Sequence, residues 1–164
     1  MPEMLSTNLT ELLTLQVSYE MYNSQFYTKV GMQLKNMGLD NIGNHFYCTQ
    51  VEEELEHKKK ICDYLIDRNI NVEIIPVPEV EFNFISMSDV AMQYLNLEIL
   101  TTERLKNIAK EALMESDFIT FNFASDMIDI QRVEESEALS FTDKIALTNN
   151  DMKVMLLFDA NFSL

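Results

Sequence analysis

The run at residues 51–57 is dense with groups that ionise or bind metal: Glu52, Glu53, Glu54, Glu56 and His57. Glu54 and His57 are three apart, so on a helix they share a face. That face is otherwise apolar, with Gly43 and Phe46 before the pair and Ile61, Tyr64 and Leu65 after it. A carboxylate and an imidazole set in an apolar stripe are costly unless something satisfies them. A metal ion would do so, because Glu-x-x-His presents two ligands from a single helix. A solvated helix face accounts for the same seven residues equally well, so the rest of the chain has to decide.

The elements that would position this pair are long helices. Of 164 residues only six are Gly or Pro, and 47% are apolar, enough for one domain with a sizeable core. Breakers and caps divide the chain into helices at about 7–37, 42–68, 88–115 and 118–146, with a short apolar segment at 150–161. The predicted fold class is therefore all-α, a four-helix bundle in a single domain spanning 1–164. Residues 69–87 carry Pro76 and Pro78 and alternate loosely, which predicts an extended crossover. A connection that long is needed if the second and third helices run the same way, the arrangement with one long crossover. Its apolar residues, Val72, Ile74, Ile75, Val77 and Val80, and the apolar tail segment are expected to be covered, the tail between subunits.

Each of the four long helices interrupts its inward stripe with a carboxylate near mid-length. The first reads Leu13, Gln16, Glu20, Ser24, Tyr27, Gly31, Leu34, and the second carries Glu54 and His57. The third reads Ala91, Tyr94, Glu98, Thr101, Leu105, and the fourth Met127, Gln131 or Ile130, Glu134, Ala138, Phe141. Four solvated acids would not all choose the core face. Gathered in one bundle core they cannot all ionise unless cations lie between them. Two bridged metal ions resolve the conflict. Oxygen-rich ligation with one imidazole suits iron or manganese better than structural zinc.

The net charge of −15 disfavours nucleic acid and anionic membrane as partners and is compatible with gathering cations. No apolar run reaches the length of a membrane span, and the N-terminus has no basic region ahead of an apolar one, so no signal peptide is expected. Cys48 and Cys62 lie too far apart for a CxxC motif and read as reduced thiols of a cytoplasmic protein.

The chain resembles the bacterial non-haem ferritins over nearly its whole length. The resemblance rests on Tyr19-Glu20-Met21-Tyr22 with Tyr27, on Glu53-Glu54-Leu55-Glu56-His57, on Glu98, and on Thr120-Phe121-Asn122-Phe123 leading to Gln131-Arg132-Val133-Glu134-Glu135. It implies a ferritin-like bundle with a short fifth C-terminal helix, assembled as a 24-subunit hollow homo-oligomer. Such a shell oxidises Fe(II) with O2 or H2O2 and stores the ferric mineral inside. It further implies two irons per subunit. Glu20, Glu54 and His57 match the ligands of one, with Glu54 as the bridge, and Glu98 and Glu134 match those of the second. Gln131 matches a glutamine beside the second iron, and Tyr27 a tyrosine hydrogen-bonded near it.

Departures from the family pattern carry information too. Haem-binding bacterioferritins place a methionine after the bridging glutamate; Leu55 stands there, so no haem is expected. They also repeat Glu-x-x-His on the fourth helix, where this chain has Gln131 and Glu134. A third iron position found in many bacterial non-haem ferritins would need Glu53 plus acids where Ile130 and Val133 stand, so a site of that kind should be absent or weak. Phe121 and Ala124 occupy the positions of the acidic three-fold pore of animal ferritins. Two other readings stay open: a di-iron oxidase or oxygenase of small molecules on the same bundle, and a storage shell with a weak oxidation centre.

Overall fold

The computed structural model describes residues 4–163. Helix α1 spans Thr7–Asn36 and starts where the Ser6 side chain accepts a hydrogen bond from the Leu9 amide. Gly38, at φ 84°, turns the chain in the left-handed conformation that glycine tolerates best. Helix α2, Asp40–Asn44, runs on into a π-helical stretch, His45–Gln50, and then into α3, Val51–Asp67. These three segments form one rod where a single helix from about 42 was expected; the widened turn in the middle is new. The crossover follows. Helix α4, Met87–Met114, opens with a capping box between Ser86 and Asp89. Helix α5, Phe118–Leu147, is capped by Asp117, and α6, Met152–Ala160, by Asp151. All regular structure among the described residues is helical.

Cross-links fix the register of the rods. Tyr64 pairs with Thr120 at 2.7 Å and Arg68 with Asp117 at 3.0 Å, so α5 numbers fall as α3 numbers rise and the two helices are antiparallel. Tyr64 also stacks on Phe123 at 4.1 Å, and both rings are part-buried. Thr142 donates to the Ala91 carbonyl at 3.2 Å, and Gln131 donates to Glu98, so α4 and α5 are antiparallel as well. Asn23 on Thr101 and Tyr27 on Glu98 set α1 against α4 in the same sense.

The core is divided. One apolar cluster contains Phe26, Tyr27, Val30, Leu34, Phe46, Tyr94 and Phe141. The other contains Leu9, Leu13, Val17, Ile61, Leu65, Leu105 and Met127. Between them lies a waist of buried polar groups: Gln16, Glu20, Glu54, His57, Glu98, Thr101, Gln131 and Glu134. Each fully buried aliphatic or aromatic side chain contributes about 1.5–3 kcal/mol. The two plugs thus supply the free energy that holds the waist dry.

The expectation that the tail has no bundle to pack on needs correction, whereas the crossover residues are covered within the subunit only in part. Within the subunit only Val80 of the five crossover residues is buried, and Ile74 stays 77% exposed. Helix α6 does find bundle to pack on. Met155 joins the first apolar cluster, and Asp159 accepts the Ile42 amide at 2.7 Å, satisfying an orphan donor at the start of α2. Its other face, with Leu156 and Leu157, remains open.

Helix α1 and the rod opposite cross closely at two glycines. A Cβ on Gly31 would meet the Tyr47 amide nitrogen at 2.6 Å and the Gly43 carbonyl at 2.8 Å, both backbone atoms that cannot step aside. Replacement of Gly31 by Ala is expected to cost about 1–3 kcal/mol in urea unfolding, the usual range for overpacking. Gly38→Ala meets no atom within 4 Å, and its cost of about 1–2 kcal/mol comes from the left-handed backbone alone. Unchanged stability in Gly31→Ala would contradict the close crossing.

Candidate metal centre

Four helices each deliver one acid to the waist, and all four acids are buried: Glu20 from α1, Glu54 from α3, Glu98 from α4 and Glu134 from α5. His57 joins them one turn after Glu54. Glu20, Glu54 and His57 converge most closely. Each offers one ligand atom, and these atoms lie within 4.8 Å of one another, the spacing of a group that could hold a metal ion.

The imidazole is oriented from behind. Its Nε2 donates to Glu134 Oε1 at 3.0 Å, while Nδ1 faces Glu54 Oε2 at 3.9 Å. A carboxylate holding one ring nitrogen as N–H leaves the other as a lone-pair donor, the usual way a histidine ligand is aimed. Burial works against protonation of His57, but the hydrogen bond and charge of Glu134, with Glu20 behind, outweigh it and raise its pKa.

Glu98 and Glu134 are not part of the converging trio. Each carboxylate has taken the nearest donor. Glu98 accepts from the Tyr27 hydroxyl and from the Gln131 amide, Glu134 from His57, and Glu20 from Gln16 at 2.8 Å. Gln131 and Tyr27 therefore both sit against Glu98. Glu53 is half-buried, off the trio, and accepts from Gln50 at 2.6 Å. Gln16 had drawn no attention as a partner for Glu20; its signal was the four-residue spacing to Glu20 on one stripe. The Arg68–Asp117–Thr120–Tyr64 network that fixes α3 against α5 had no sequence signal, since its members are about 50 residues apart.

The electrostatics show how far the carboxylates are from satisfied. One oxygen each of Glu20, Glu54 and Glu134 is buried with no hydrogen-bond partner. Burial, then the charge of Glu20, then Glu98 and Glu134, raise the Glu54 carboxyl well above its ordinary value. Burial pushes Glu98 up to about 8, against the pull of the Tyr27 and Gln131 hydrogen bonds. Orphaned, buried carboxylate oxygens facing a free imidazole nitrogen form the donor set a hard divalent cation needs. The trio Glu20, Glu54 and His57 fits one such ion.

Comparison with known proteins places this arrangement. Residues 10–148 match the family model described as ferritin-like domain. A bacterial non-heme ferritin of Campylobacter jejuni is 30% identical over 156 residues, 95% of this chain and 93% of that protein. One from Staphylococcus haemolyticus is 30% identical over 158 residues. The fold superposes with TM-score 0.92 on an open pore ferritin of Archaeoglobus fulgidus, 28% identical, covering 98% of this chain and 97% of that one.

A carboxyl whose pKa is higher in the fold than in the unfolded chain holds its proton more tightly when folded. The stability contributed by protonated Glu98 is complete below its unfolded pKa of 4.5 and is lost as pH rises through about 8. The melting temperature of the metal-free protein is thus expected to fall between about pH 5 and pH 8. The fall should be shallower in Glu98→Gln and should be reversed by a divalent cation. Melting curves independent of pH over that range would contradict the buried acid cluster.

Proposed function

The chain belongs to the ferritin family, whose work is iron storage, and from that premise we propose that it oxidises Fe(II) at the waist before the iron is stored. The observation that carries this reading is the convergence of Glu20, Glu54 and His57, with orphaned oxygens on both acids and a third on Glu134 behind the imidazole. One Fe(II) would be held by Glu20, Glu54 and His57. The second would take Glu54 as a bridge, with Glu98 and Glu134, and Gln131 alongside. Binding displaces the proton that burial keeps on Glu98 and Glu54. Each iron gives one electron to O2 or H2O2, and hard carboxylate ligands favour the ferric product. The Tyr27 hydroxyl holds one Glu98 oxygen and the Gln131 amide the other, so iron binding there would have to displace at least one of these bonds. With only one imidazole among the ligands, the ferric product is held loosely enough to move on to the mineral.

Two features favour storage over small-molecule oxidation. Two grooves of about 440 and 490 Å³ run along α1 and the crossover, past Leu15 and Tyr19, and touch none of the trio. Leu156 and Leu157 on α6 and Ile74 on the crossover are apolar faces that further copies of the chain would cover. We therefore read the protein as a homo-oligomer of 24 subunits enclosing a cavity, working in the cytoplasm without haem.

The double variant Glu54→Ala/His57→Ala is expected to assemble normally and to oxidise anaerobically loaded Fe(II) at least roughly tenfold more slowly when air is admitted, read from ferric absorbance. Oxidation at the wild-type rate would remove this site from the reaction. Elution at the size of a dimer would refute the shell.

A further inference from the structure

We propose that Met37, Met87, Met152 and Met155 form a thioether site for a soft monovalent cation, copper in its reduced state, Cu(I). The site lies at the end of the bundle where α1 stops and α4 and α6 start. It shares no residue with the waist and does not depend on the oxidation reading.

The chain carries eleven methionines in 164 residues. Four of them, from three helix ends far apart in sequence, line one cleft of about 100 Å³. Met37 follows the last residue of α1, Met87 and Met152 open α4 and α6, and Met155 lies about one turn into α6. The walls are tied together. Asn150, in the turn between α5 and α6, accepts from the Ser88 hydroxyl at 3.2 Å, which fastens the start of α6 to the start of α4. That turn is built on two consecutive left-handed residues, Asn149 at φ 50° and Asn150 at φ 56°, a conformation asparagine tolerates better than most side chains.

Methionine often fills gaps in a core, and Met87 and Met155, 4% and 1% exposed, suit that duty. Met37 and Met152 do not, because they are 44% and 46% exposed and reach the same cleft from its open side. A filler has nothing to fill there, whereas a ligand must meet an ion arriving from solvent. Methionine turns about three side-chain bonds, so two thioethers at the floor and two at the rim can close on one ion. The lining also selects the ion. Among the described residues around the cleft there is no carboxylate, imidazole or thiol. The acids nearest in sequence are already engaged. Asp89 accepts the Ile85 and Ser86 amides at 2.9 Å, and Asp151 accepts the Lys153 and Val154 amides at 2.8 and 3.3 Å. A hard ion such as Fe(II) thus finds no charged oxygen, while soft sulfur donors suit Cu(I). Neutral donors leave the charge of the ion uncompensated, and a single charge is less costly to hold that way than a double one.

Silver(I) is the probe, because it has the charge and softness of Cu(I) and is not oxidised by air. Thiols would compete for it, so the assembled protein carries Cys48→Ser and Cys62→Ser, one exposed and one half-buried position outside the cleft. Bound silver is counted by equilibrium dialysis in chloride-free buffer. Adding Met37→Leu/Met152→Leu keeps the apolar bulk and removes two sulfurs at exposed positions, so the fold is preserved. It is expected to weaken one Ag(I) per subunit at least roughly tenfold. Met32→Leu, at a similarly exposed methionine of α1 away from the cleft, should bind as its parent does. A thioether has no proton to release, so the ion that the double Leu variant weakens should bind its parent equally well at about pH 5 and pH 8, unlike one held by carboxylates or imidazole. In the parent, the methyl carbon-13 signals of four of the eleven methionines should move as Ag(I) is added. Equal binding in Met37→Leu/Met152→Leu and its parent, or a methionine spectrum that does not move, would overturn the thioether site.

Discussion

Carboxylates from separate helices are confined in a dry layer between two apolar plugs, and most features of this subunit follow from that conflict. Water would relieve it, but Phe46, Tyr94 and Phe141 close one side and Leu13, Ile61 and Leu105 the other. Protonation relieves it in part, as the raised pKa values of Glu54 and Glu98 show. Local donors relieve it a little more, through Gln16, Tyr27, Gln131 and His57. Three oxygens still have no partner, and only positive charge placed among them completes the set. Stability and ionisation are thus opposed: the plugs that stabilise the bundle raise the energy of charged carboxylates in its waist. Such stored mismatch is expected at functional sites.

The long rods and the inward acids were legible in the sequence because both are periodic. An apolar stripe at three- and four-residue steps specifies a helix face, and a carboxylate at mid-stripe on four separate faces is a coincidence that demands a cause. Helix starts were legible to within a residue or two: Ser6, Ser86 and Asp117 stand just before the starts expected near 7, 88 and 118, and their side-chain oxygens accept the first amides. What sequence periodicity cannot carry is pairing between distant residues. Gln131 could be placed beside the site, but not its donation to Glu98. Arg68 on Asp117, and Asp159 on the start of α2, join residues 49 and 117 apart and leave no local trace. The split of the acids into a converging trio and two carboxylates drawn to neighbouring donors has no trace in the periodicity, and only the family resemblance grouped Glu20, Glu54 and His57 apart from Glu98 and Glu134.

Placement of the tail illustrates a different limit. A short apolar segment after four rods looked surplus to the bundle, because composition counts its apolar residues and misses the acid near its end. Asp159 is what fastens it, by neutralising a helix N-terminus that Leu39 cannot cap with its side chain. The segment therefore has two faces with different duties: Met155 and Asp159 hold it to its own subunit, and Leu156 and Leu157 are left for neighbours.

The π-helical stretch His45–Gln50 bears on how this chain tolerates change in length. The buried residues Ile42, Phe46, Gln50 and Glu54 are spaced by fours, twelve residues in three turns. A regular α-helix would rotate its far end by about 120° over that span and swing Glu54 out of line. One loosened coil absorbs the surplus residue and keeps the line straight. Removing a single amino acid there would tighten the coil to ordinary pitch with Glu54 and His57 still facing inward. The same deletion a few positions later, inside α3, would turn the ligands that follow it by about 100° and dismantle the centre. The rod thus carries its own slack, stored just upstream of the residues that can least afford to move.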